Sequence, residues 1–477
     1  MFRYSSIKDY HNALQNGQTT CVEAVRFYLE AARNNSHLNA FLDLYEAEAL
    51  QHAAALDEQR AAGIFSGKLH GVITGLKDVL SHKDHKLSAA SKILEGFTSI
   101  YNATAVEKLL QEGAIIIGRQ NCDEFAMGSS NENSAFGPVK NARDESRVPG
   151  GSSGGSAVAV QAGLCMISLG SDTGGSVRQP ADFCGIVGLK PGYGRVSRYG
   201  LVAYASSFDQ VGIFANNVDD AALVLEVIAG ADEFDSTVSQ QPVPAYSTAL
   251  EGEEKKYRIA YFRQALEHPG LDPEIRDKTE LFIKKLTGAG HTVEPVDFQL
   301  LDYIIPTYYI LTTAEASSNL SRFDGVRFGH RASGKEMDLT ELYKASRSEG
   351  FGREVQRRIL LGTFVLSAGY FDAYFAKAQQ VRRLLSDQTR QIFANYDCII
   401  SPTVPAPAFR LGEKSNDPVE MFLADIYTVF ANLVGIPGIS IPIFEHSSGL
   451  PFGLQVMTSH LNELPLLRLS KMFMRYR

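Results

Sequence analysis

The sequence predicts an α/β fold in which helices cover a central β-sheet. From residue 67 onward, short apolar runs alternate with segments of helical periodicity, which is typical of a sheet with helical covers. Of the 477 residues, 44% are hydrophobic and 21% are charged, so the chain can bury a large core. Two uncharged windows, 148–171 and 426–444, are interrupted by Gly, Ser or Pro, and neither predicts a membrane span.

The first 66 residues are predicted to form an N-terminal helical segment. Thr20-x-x-Glu23 has the capping-box pattern, in which each side chain accepts a hydrogen bond from a backbone N–H at the start of a helix. An Ala- and Glu-rich stretch at 47–62 predicts a further helix.

The region 67–232 carries the first strands and helices of the predicted sheet. Apolar runs predict strands at 71–76, 114–117 and 165–169. Helices are predicted at 104–113, 156–164 and 217–228. Thr104-x-x-Glu107 and Asn217 are the expected N-terminal caps of the first and last of these helices. Since open α/β sheets bind ligands at the carboxyl ends of strands, we expect a site near the loop after 165–169.

The remainder, 258–477, predicts further strands of the same sheet. A polar, irregular connection at 233–257 precedes strands at 258–262 and 291–296, with a helix at 273–286 between them. Late strands are predicted at 398–400, 439–443 and 452–456. Because these late strands are expected to return to the main sheet, we interpret 1–477 as one domain.

Charge and cysteine content exclude several functional classes. The formal net charge is −8, whereas nucleic-acid surfaces are rich in Lys and Arg, so any contact with nucleic acid is expected to fall to a partner. The five cysteines are widely separated and include no C-x-x-C pair, which predicts reduced thiols in a cytoplasmic compartment, with neither a disulfide framework nor a zinc site. The first residues, MFRY, lack the apolar core of a signal peptide.

Two Gly/Ser-rich segments, GGSSGG at 150–155 and TGGS at 173–176, allow three interpretations. A phosphate cradle is disfavoured because neither the G-x-x-x-x-G-K-[ST] spacing nor G-x-G-x-x-G occurs there. Tight turns with serine caps explain each segment taken alone, and Ser156 and Ser171 are interpreted in that way. A serine nucleophile is the third interpretation, with glycine backbone N–H groups stabilising the oxyanion that it creates.

A serine nucleophile requires a base, and Lys77 is the candidate. No G-x-S-x-G elbow surrounds these serines, and none of the eleven histidines lies in a triad-like context. Lys77 directly follows the apolar run 71–76, where burial would lower the pKa of its amine. A surface lysine paired with Asp78 is the alternative.

Three sequence blocks together resemble the amidase signature family: GVITGLKD at 71–78, PGGSSGGS at 149–156 and GSDTGGSVR at 170–178, with GIVGLKP at 185–191 after the last. The resemblance implies a twisted, mixed β-sheet covered by helices on both faces. It also implies a Ser–Ser–Lys triad in 67–232. Lys77 would be the base, Ser152 the proton relay across a cis peptide, and Ser176 the nucleophile. Ser153 would support Ser152, and the backbone N–H groups of Thr173, Gly174, Gly175 and Ser176 would form the oxyanion hole.

Segments 192–210, 319–329 and 349–359 resemble one subgroup of that family, the glutaminase subunits of tRNA-dependent amidotransferases. This resemblance implies that the substrate is free glutamine. Arg358 would bind its α-carboxylate, Asp425 its ammonium group, and Tyr309 would donate or accept a further hydrogen bond. The adjacent residues Tyr308 and Arg357 leave the register of these two assignments open.

The same resemblance implies the partners of the chain. They are the B and C subunits of a heterotrimeric amidotransferase, with the B subunit holding glutamyl-tRNA(Gln), aspartyl-tRNA(Asn) or both. ATP and Mg²⁺ would serve the complex through one of these partners, and no cofactor is expected in this chain. Two alternatives remain at this stage: a stand-alone amidase for another small amide, and a non-catalytic scaffold or nucleotide-binding module.

Overall fold

The computed structural model describes residues 4–65, 67–252, 255–333, 337–414 and 424–476. Within these ranges, eleven strands form one sheet in the order β1-β3-β2-β4-β6-β5-β10-β11-β9-β7-β8. The strands are β1 (Phe41–Leu44), β2 (Ile73–Lys77), β3 (Ile115–Gln120), β4 (Ile167–Asp172), β5 (Val187–Lys190), β6 (Gln210–Ala215), β7 (Arg258–Phe262), β8 (Thr292–Val296), β9 (Cys398–Pro402), β10 (Gly438–Glu445) and β11 (Pro451–Met457).

The sheet is mixed, as predicted. Parallel pairing joins β3, β2 and β4 near one edge and β9, β7 and β8 at the other. The remaining pairs are antiparallel. The predicted late strands do return to this sheet, where β10 pairs with β5 and β11 pairs with β9.

Helices cover both faces of the sheet. In β2, β3, β4 and β6 every residue is buried. Successive side chains of a strand point to opposite faces, so a fully buried strand is covered on both sides. The α-helices of the described residues are α1 (Ile7–Gln15), α2 (Cys21–Asn34), α3 (Glu46–Ala61), α4 (Thr104–Gln111), α5 (Gly154–Gln161), α6 (Arg178–Cys184), α7 (Val218–Ile228), α8 (Tyr246–Ala249), α9 (Arg263–Leu266), α10 (Pro273–Gly288), α11 (Leu301–Asn319), α12 (Leu339–Gly350), α13 (Arg353–Val365), α14 (Lys377–Phe393), α15 (Val429–Leu433) and α16 (Glu463–Met474).

Two predictions for the first part of the chain are confirmed and two are wrong. The capping box of Thr20 and Glu23 is present at the start of α2, and Asn217 caps α7. Thr104 is not a cap: it is the first residue of α4, and its hydroxyl donates to Asp232. The N-terminal segment is not wholly helical either, because β1 pairs with β3 at the edge of the sheet.

The sheet brings the two Gly/Ser-rich segments and Lys77 to one edge. β2 ends at Lys77 and β4 ends at Asp172, and the two strands are parallel neighbours. Carboxyl ends of adjacent parallel strands meet at the same edge, so the loop 173–177 begins beside Lys77. None of the helices in the described ranges is both long and apolar enough to span a bilayer.

Candidate active site

The Lys77 amine is fully buried and surrounded by hydroxyl groups. Its Nζ donates to Ser152 Oγ at 2.7 Å, to Ser153 Oγ at 2.9 Å and to Ser171 Oγ at 2.9 Å. Asp78 instead forms a 2.8 Å ion pair with Arg119. The interpretation of Lys77 as a surface lysine paired with Asp78 is therefore wrong.

The environment of Lys77 shifts its protonation equilibrium toward the neutral form. Burial lowers the pKa of the amine from 10.5 to about 8, and nearby acidic groups, including Asp123 and Asp172, offset only part of this effect. At pH 7, a pKa of about 8 leaves roughly one amine in ten unprotonated and able to accept a proton. A general base near neutral pH is what serine activation requires.

The first Gly/Ser-rich segment is held closely by its neighbours. The peptide bond between Gly151 and Ser152 is cis. The Gly151 N–H donates to Gln179 Oε1 at 3.1 Å, and the Ser152 carbonyl accepts from the Asp123 N–H at 3.0 Å. A Cβ on Gly151 would lie 2.7 Å from the backbone nitrogen of Ser130 and 2.8 Å from that of Asn131, so a larger residue would require the backbone to move.

The loop that carries Ser176 is organised by Asp172. Ser176 lies between β4 and α6 and is 8% exposed. The Asp172 carboxylate accepts from the Gly175 N–H at 2.8 Å, the Val177 N–H at 3.1 Å and two nitrogens of Arg178. Burial raises the pKa of Asp172, but the Arg178 guanidinium outweighs burial and brings it to about 2. Asp172 therefore stays ionised and fixes the turn.

Three of the four predicted oxyanion donors make no hydrogen bond to the described residues. The Gly175 N–H already donates to Asp172, whereas the N–H groups of Thr173, Gly174 and Ser176 have no acceptor among the described residues. The loop is also tightly enclosed. A Cβ on Gly174 would lie 2.4 Å from the Tyr308 ring.

The three predicted glutamine-binding residues meet in one buried cluster. Arg358, Asp425 and Tyr309 are 6%, 7% and 6% exposed. The Tyr309 hydroxyl donates to Asp425 Oδ2 at 3.1 Å, and the Arg358 guanidinium lies 5.4 Å from the centre of the Tyr309 ring. Ser129 also donates to Asp425 Oδ2, at 2.8 Å, and sequence analysis missed it.

The structure separates the residues whose register was open. Arg357 lies on the exposed side of α13 and pairs with Glu354, whereas the Arg358 side chain is buried. Tyr308 packs against Gly174, whereas the Tyr309 hydroxyl contacts Asp425. The geometry thus favours Arg358 and Tyr309 for the predicted roles.

Burial raises the pKa of Asp425 to about 7. Hydrogen bonds from Ser129 and Tyr309 and the nearby charge of Arg358 act in the opposite direction but do not cancel this effect. A substrate ammonium group beside Asp425 would favour the ionised carboxylate further.

Two serines interpreted as turn or cap residues have other positions. Ser171 is the second-last residue of β4, and its hydroxyl is the third acceptor around Lys77. Ser156 lies within α5, and its hydroxyl donates to Gln120 Oε1 at 2.8 Å. Strand alternation does not reveal the contact of Ser171, because it depends on β4 lying next to β2.

A separate cluster of Glu48, His82 and His85 has three potential metal-ligand atoms within 4.8 Å of one another. The two imidazole rings stack face to face, 4.0 Å apart and 3° from parallel. Imidazole lone pairs lie in the ring plane, so these two rings do not converge on one ion. The cluster therefore lacks the ligand geometry of a zinc site.

Comparisons with known proteins agree with this architecture. The family model named Amidase matches residues 23–467. The A subunit of glutamyl-tRNA(Gln) amidotransferase from Koribacter versatilis is 52% identical over 459 residues, covering 96% of this chain and 95% of the relative. The protein of the same name from Chlorobium phaeobacteroides is 52% identical over 477 residues, covering 99% of both chains.

Solved structures of amidases and amidotransferase subunits have the same fold as this chain. The crystal structure of the glutamyl-tRNA(Gln) amidotransferase A subunit from Thermotoga maritima is 38% identical with a TM-score of 0.76, covering 94% of this chain and 92% of that one. Peptide amidase from Stenotrophomonas maltophilia is 28% identical with a TM-score of 0.82, covering 99% of this chain and 96% of that one. The chain belongs to the amidase signature family and, within it, to the group of glutamyl-tRNA(Gln) amidotransferase A subunits.

Proposed function

We propose that this chain is the glutaminase subunit of a tRNA-dependent amidotransferase, hydrolysing glutamine to glutamate and releasing ammonia. The observation that carries the proposal is the hydrogen bond from the buried Lys77 amine to Ser152 Oγ. It lies at the sheet edge where the loop that contains Ser176 begins. The chain's membership of the A-subunit group supports the same function.

In the proposed mechanism, the neutral Lys77 amine accepts a proton from Ser152 while Ser152 accepts the proton of Ser176. Ser176 Oγ attacks the side-chain amide carbon of glutamine, and the amide oxygen becomes an oxyanion near the free N–H groups of the loop. The carbon–nitrogen bond then breaks, and the leaving nitrogen takes the proton back from Lys77 through Ser152. Ammonia leaves and a γ-glutamyl ester remains on Ser176.

Hydrolysis of that ester repeats the same proton path. A water molecule attacks the ester carbonyl and gives its proton to Lys77 through Ser152. The carbon–oxygen bond to Ser176 breaks, Ser176 regains its proton, and glutamate is released. Ser153 and Ser171 hold the Lys77 amine in place between these steps.

The charges of the pocket support an amino acid as the substrate. The Arg358 guanidinium can bind the α-carboxylate of glutamine and the Asp425 carboxylate its ammonium group. A stand-alone amidase for uncharged amides would have no use for two buried, opposite charges in its pocket. We therefore favour glutamine over a small neutral amide.

Ammonia would pass to a partner that amidates glutamyl-tRNA(Gln) with ATP and Mg²⁺, in a complex with the B and C subunits. The net charge of −8 supports a division of labour in which the B subunit holds the tRNA. The exposed ring of Phe364, at the end of α13, contacts the exposed rings of Tyr370 and Tyr374, which lie between α13 and α14. Exposed apolar clusters of this kind occur at subunit interfaces. No cofactor is proposed for this chain itself.

The decisive experiment is Ser176→Ala in the assembled complex. Glutamine hydrolysis should fall by at least about 1,000-fold, while amidation driven by added ammonia continues, because the nucleophile acts only in ammonia release. An acyl-enzyme trap should label Ser176 in the unaltered chain, which a scaffold would not permit. Ser321→Ala, at an exposed serine, is the control. Near-normal glutaminase turnover without Ser176 would disprove the mechanism.

A further inference from the structure

The guanidinium of Arg358 is held from two sides by residues outside the predicted set. Its Nε donates to Glu354 Oε1 at 2.8 Å, one turn earlier on α13. Its Nη1 donates to the Tyr204 hydroxyl oxygen at 2.7 Å. The guanidinium also lies 5.5 Å from the centre of the Tyr204 ring.

These two contacts decide which part of the guanidinium remains free. Arginine has five N–H donors, and here the Nε proton and one Nη1 proton are occupied. Nη2 donates to none of the described residues. Because Glu354 occupies Nε, a carboxylate that binds the guanidinium with both oxygens has to use the end formed by Nη1 and Nη2.

Tyr204 is itself fixed, so its hydroxyl can only accept from Arg358. It is 1% exposed, and its hydroxyl donates to Thr312 Oγ1 at 3.1 Å. The Thr312 hydroxyl in turn donates to the Tyr308 carbonyl at 2.8 Å. Since every proton in this chain of hydrogen bonds has an acceptor, the polarity of the chain is set and the Tyr204 oxygen faces Arg358 as an acceptor.

Glu354 adds charge as well as position. Its side chain is 11% exposed, and its carboxylate lies on the same helix as Arg358 at the i, i+4 spacing, where side chains meet. A buried guanidinium without a partner would be costly, so Glu354 stabilises the empty pocket. Because Glu354 binds Nε alone, it does not block the Nη1 and Nη2 end.

We propose that Glu354 and Tyr204 are positioning residues that hold Arg358 with its Nη1 and Nη2 edge turned toward the substrate carboxylate. The inference rests on the proposed glutaminase function and extends it to the selection of substrates with an α-carboxylate. Neither residue is expected to touch the reacting amide. Their loss should therefore weaken glutamine binding and leave the chemical step unchanged.

The test compares two substrates in the assembled complex: glutamine and 4-aminobutanamide, which is glutamine without its α-carboxylate. Loss of a hydrogen bond to a charged group costs about 1.5–3 kcal/mol, so Tyr204→Phe and Glu354→Ala should raise the KM for glutamine by roughly 10- to 150-fold. The kcat for glutamine should change less than about twofold. The kcat/KM for 4-aminobutanamide should stay within about twofold of the unaltered complex.

A conservative variant and a matched control complete the design. Glu354→Gln keeps an oxygen that can accept from Nε. Its KM for glutamine should therefore be much closer to that of the unaltered complex than the KM of Glu354→Ala is. Asp387→Asn alters a half-exposed carboxylate on α14 that pairs with Arg383 at the same i, i+4 spacing and also with Arg390. This variant should leave the KM and kcat for both substrates unchanged. Thermal unfolding of each variant checks that the fold is intact, and the two Glu354 variants carry the test if Tyr204→Phe does not fold.

The inference is overturned if the KM for glutamine is unchanged, or if both substrates lose activity to the same extent. The latter result would give Glu354 and Tyr204 a purely structural role. Failure of the proposed function has a different signature, because the unaltered complex would then not hydrolyse glutamine at all.

Discussion

The pH dependence of glutamine hydrolysis should follow the ionisation of Lys77. Burial lowers the pKa of this amine from 10.5 to about 8, and only its neutral form accepts a proton from Ser152. At pH 7 the neutral fraction rises from about 0.03% for an unperturbed lysine to roughly 9%, a gain of about 300-fold. The kcat at saturating glutamine should therefore rise tenfold per pH unit below pH 7 and level off above about pH 8.

The measurement is glutamate release by the assembled complex between pH 6 and pH 9.5. The measured quantity is kcat, because the pH profile of kcat/KM should also contain the ionisation of Asp425, whose pKa is about 7 in the empty pocket. Lys77→Arg should be inactive across this range, since its guanidinium keeps its proton, whereas Lys344→Arg at an exposed lysine should match the unaltered complex. A kcat that is flat from pH 6 to 9, or that still rises steeply at pH 9.5, would refute Lys77 as the base.

Two further predictions concern stability and the shape of the Ser176 loop. Between pH 8 and 10.5, Lys77 keeps its proton in the unfolded chain but loses it in the folded chain. The free energy of unfolding should therefore increase as the pH rises through this range. Relative to Lys77→Met, the unaltered chain should gain about 3 kcal/mol of unfolding free energy over this range in urea titrations, and a pH-independent difference would contradict the lowered pKa. Gly174→Ala should reduce glutamine turnover at least about tenfold, because its Cβ would lie 2.4 Å from the Tyr308 ring, whereas Gly288→Ala has no atom within 4 Å and should leave turnover unchanged. Equal turnover in these two glycine variants would show that the contact with Tyr308 does not shape the loop.

Apolar runs predicted most of the strands, because a strand that is covered on both faces is enriched in apolar residues. The run at 71–76 became β2 and the run at 114–117 became part of β3. β1 escaped prediction because it has four residues, each only partly buried, between two helical segments. The order of the strands in the sheet could not be predicted from local sequence patterns either, because strand pairing depends on contacts between segments that are far apart in the chain.

In the candidate site, too, some features could be predicted from neighbouring residues, whereas others depend on residues that are far apart in the sequence. Lys77 was predicted to be desolvated because it directly follows an apolar strand, and it is fully buried. Adjacent residues on a helix are 100° apart, so only the packing of α13 separates the buried Arg358 from the exposed Arg357. Ser129 and Asp425 are 296 residues apart, and nothing near either one predicts their hydrogen bond.

The glycines of the loop that contains Ser176 lie in a short sequence block, but the residues that pack against them come from distant parts of the chain. Gly174 has no positive φ, and it must be glycine because Tyr308 occupies the space of a side chain. Gly175 has φ of +131°, and Thr428 would lie 2.2 Å from its Cβ. Lys77, Ser152 and Ser176 all lie within 67–232, yet the residues that enclose their loop come from α11 and from the chain just before α15.

Sequence blocks can therefore identify the chemistry, whereas substrate choice depends on distant segments that pack against those blocks. The same division is expected in peptide amidase, which shares this fold at 28% identity while its name gives a different substrate. A short glycine-rich block is constrained by both backbone conformation and neighbouring side chains, so it tolerates little change. Tyr309 on α11 and Arg358 on α13 lie outside these blocks, and substrate selection is expected to differ at such positions within the family.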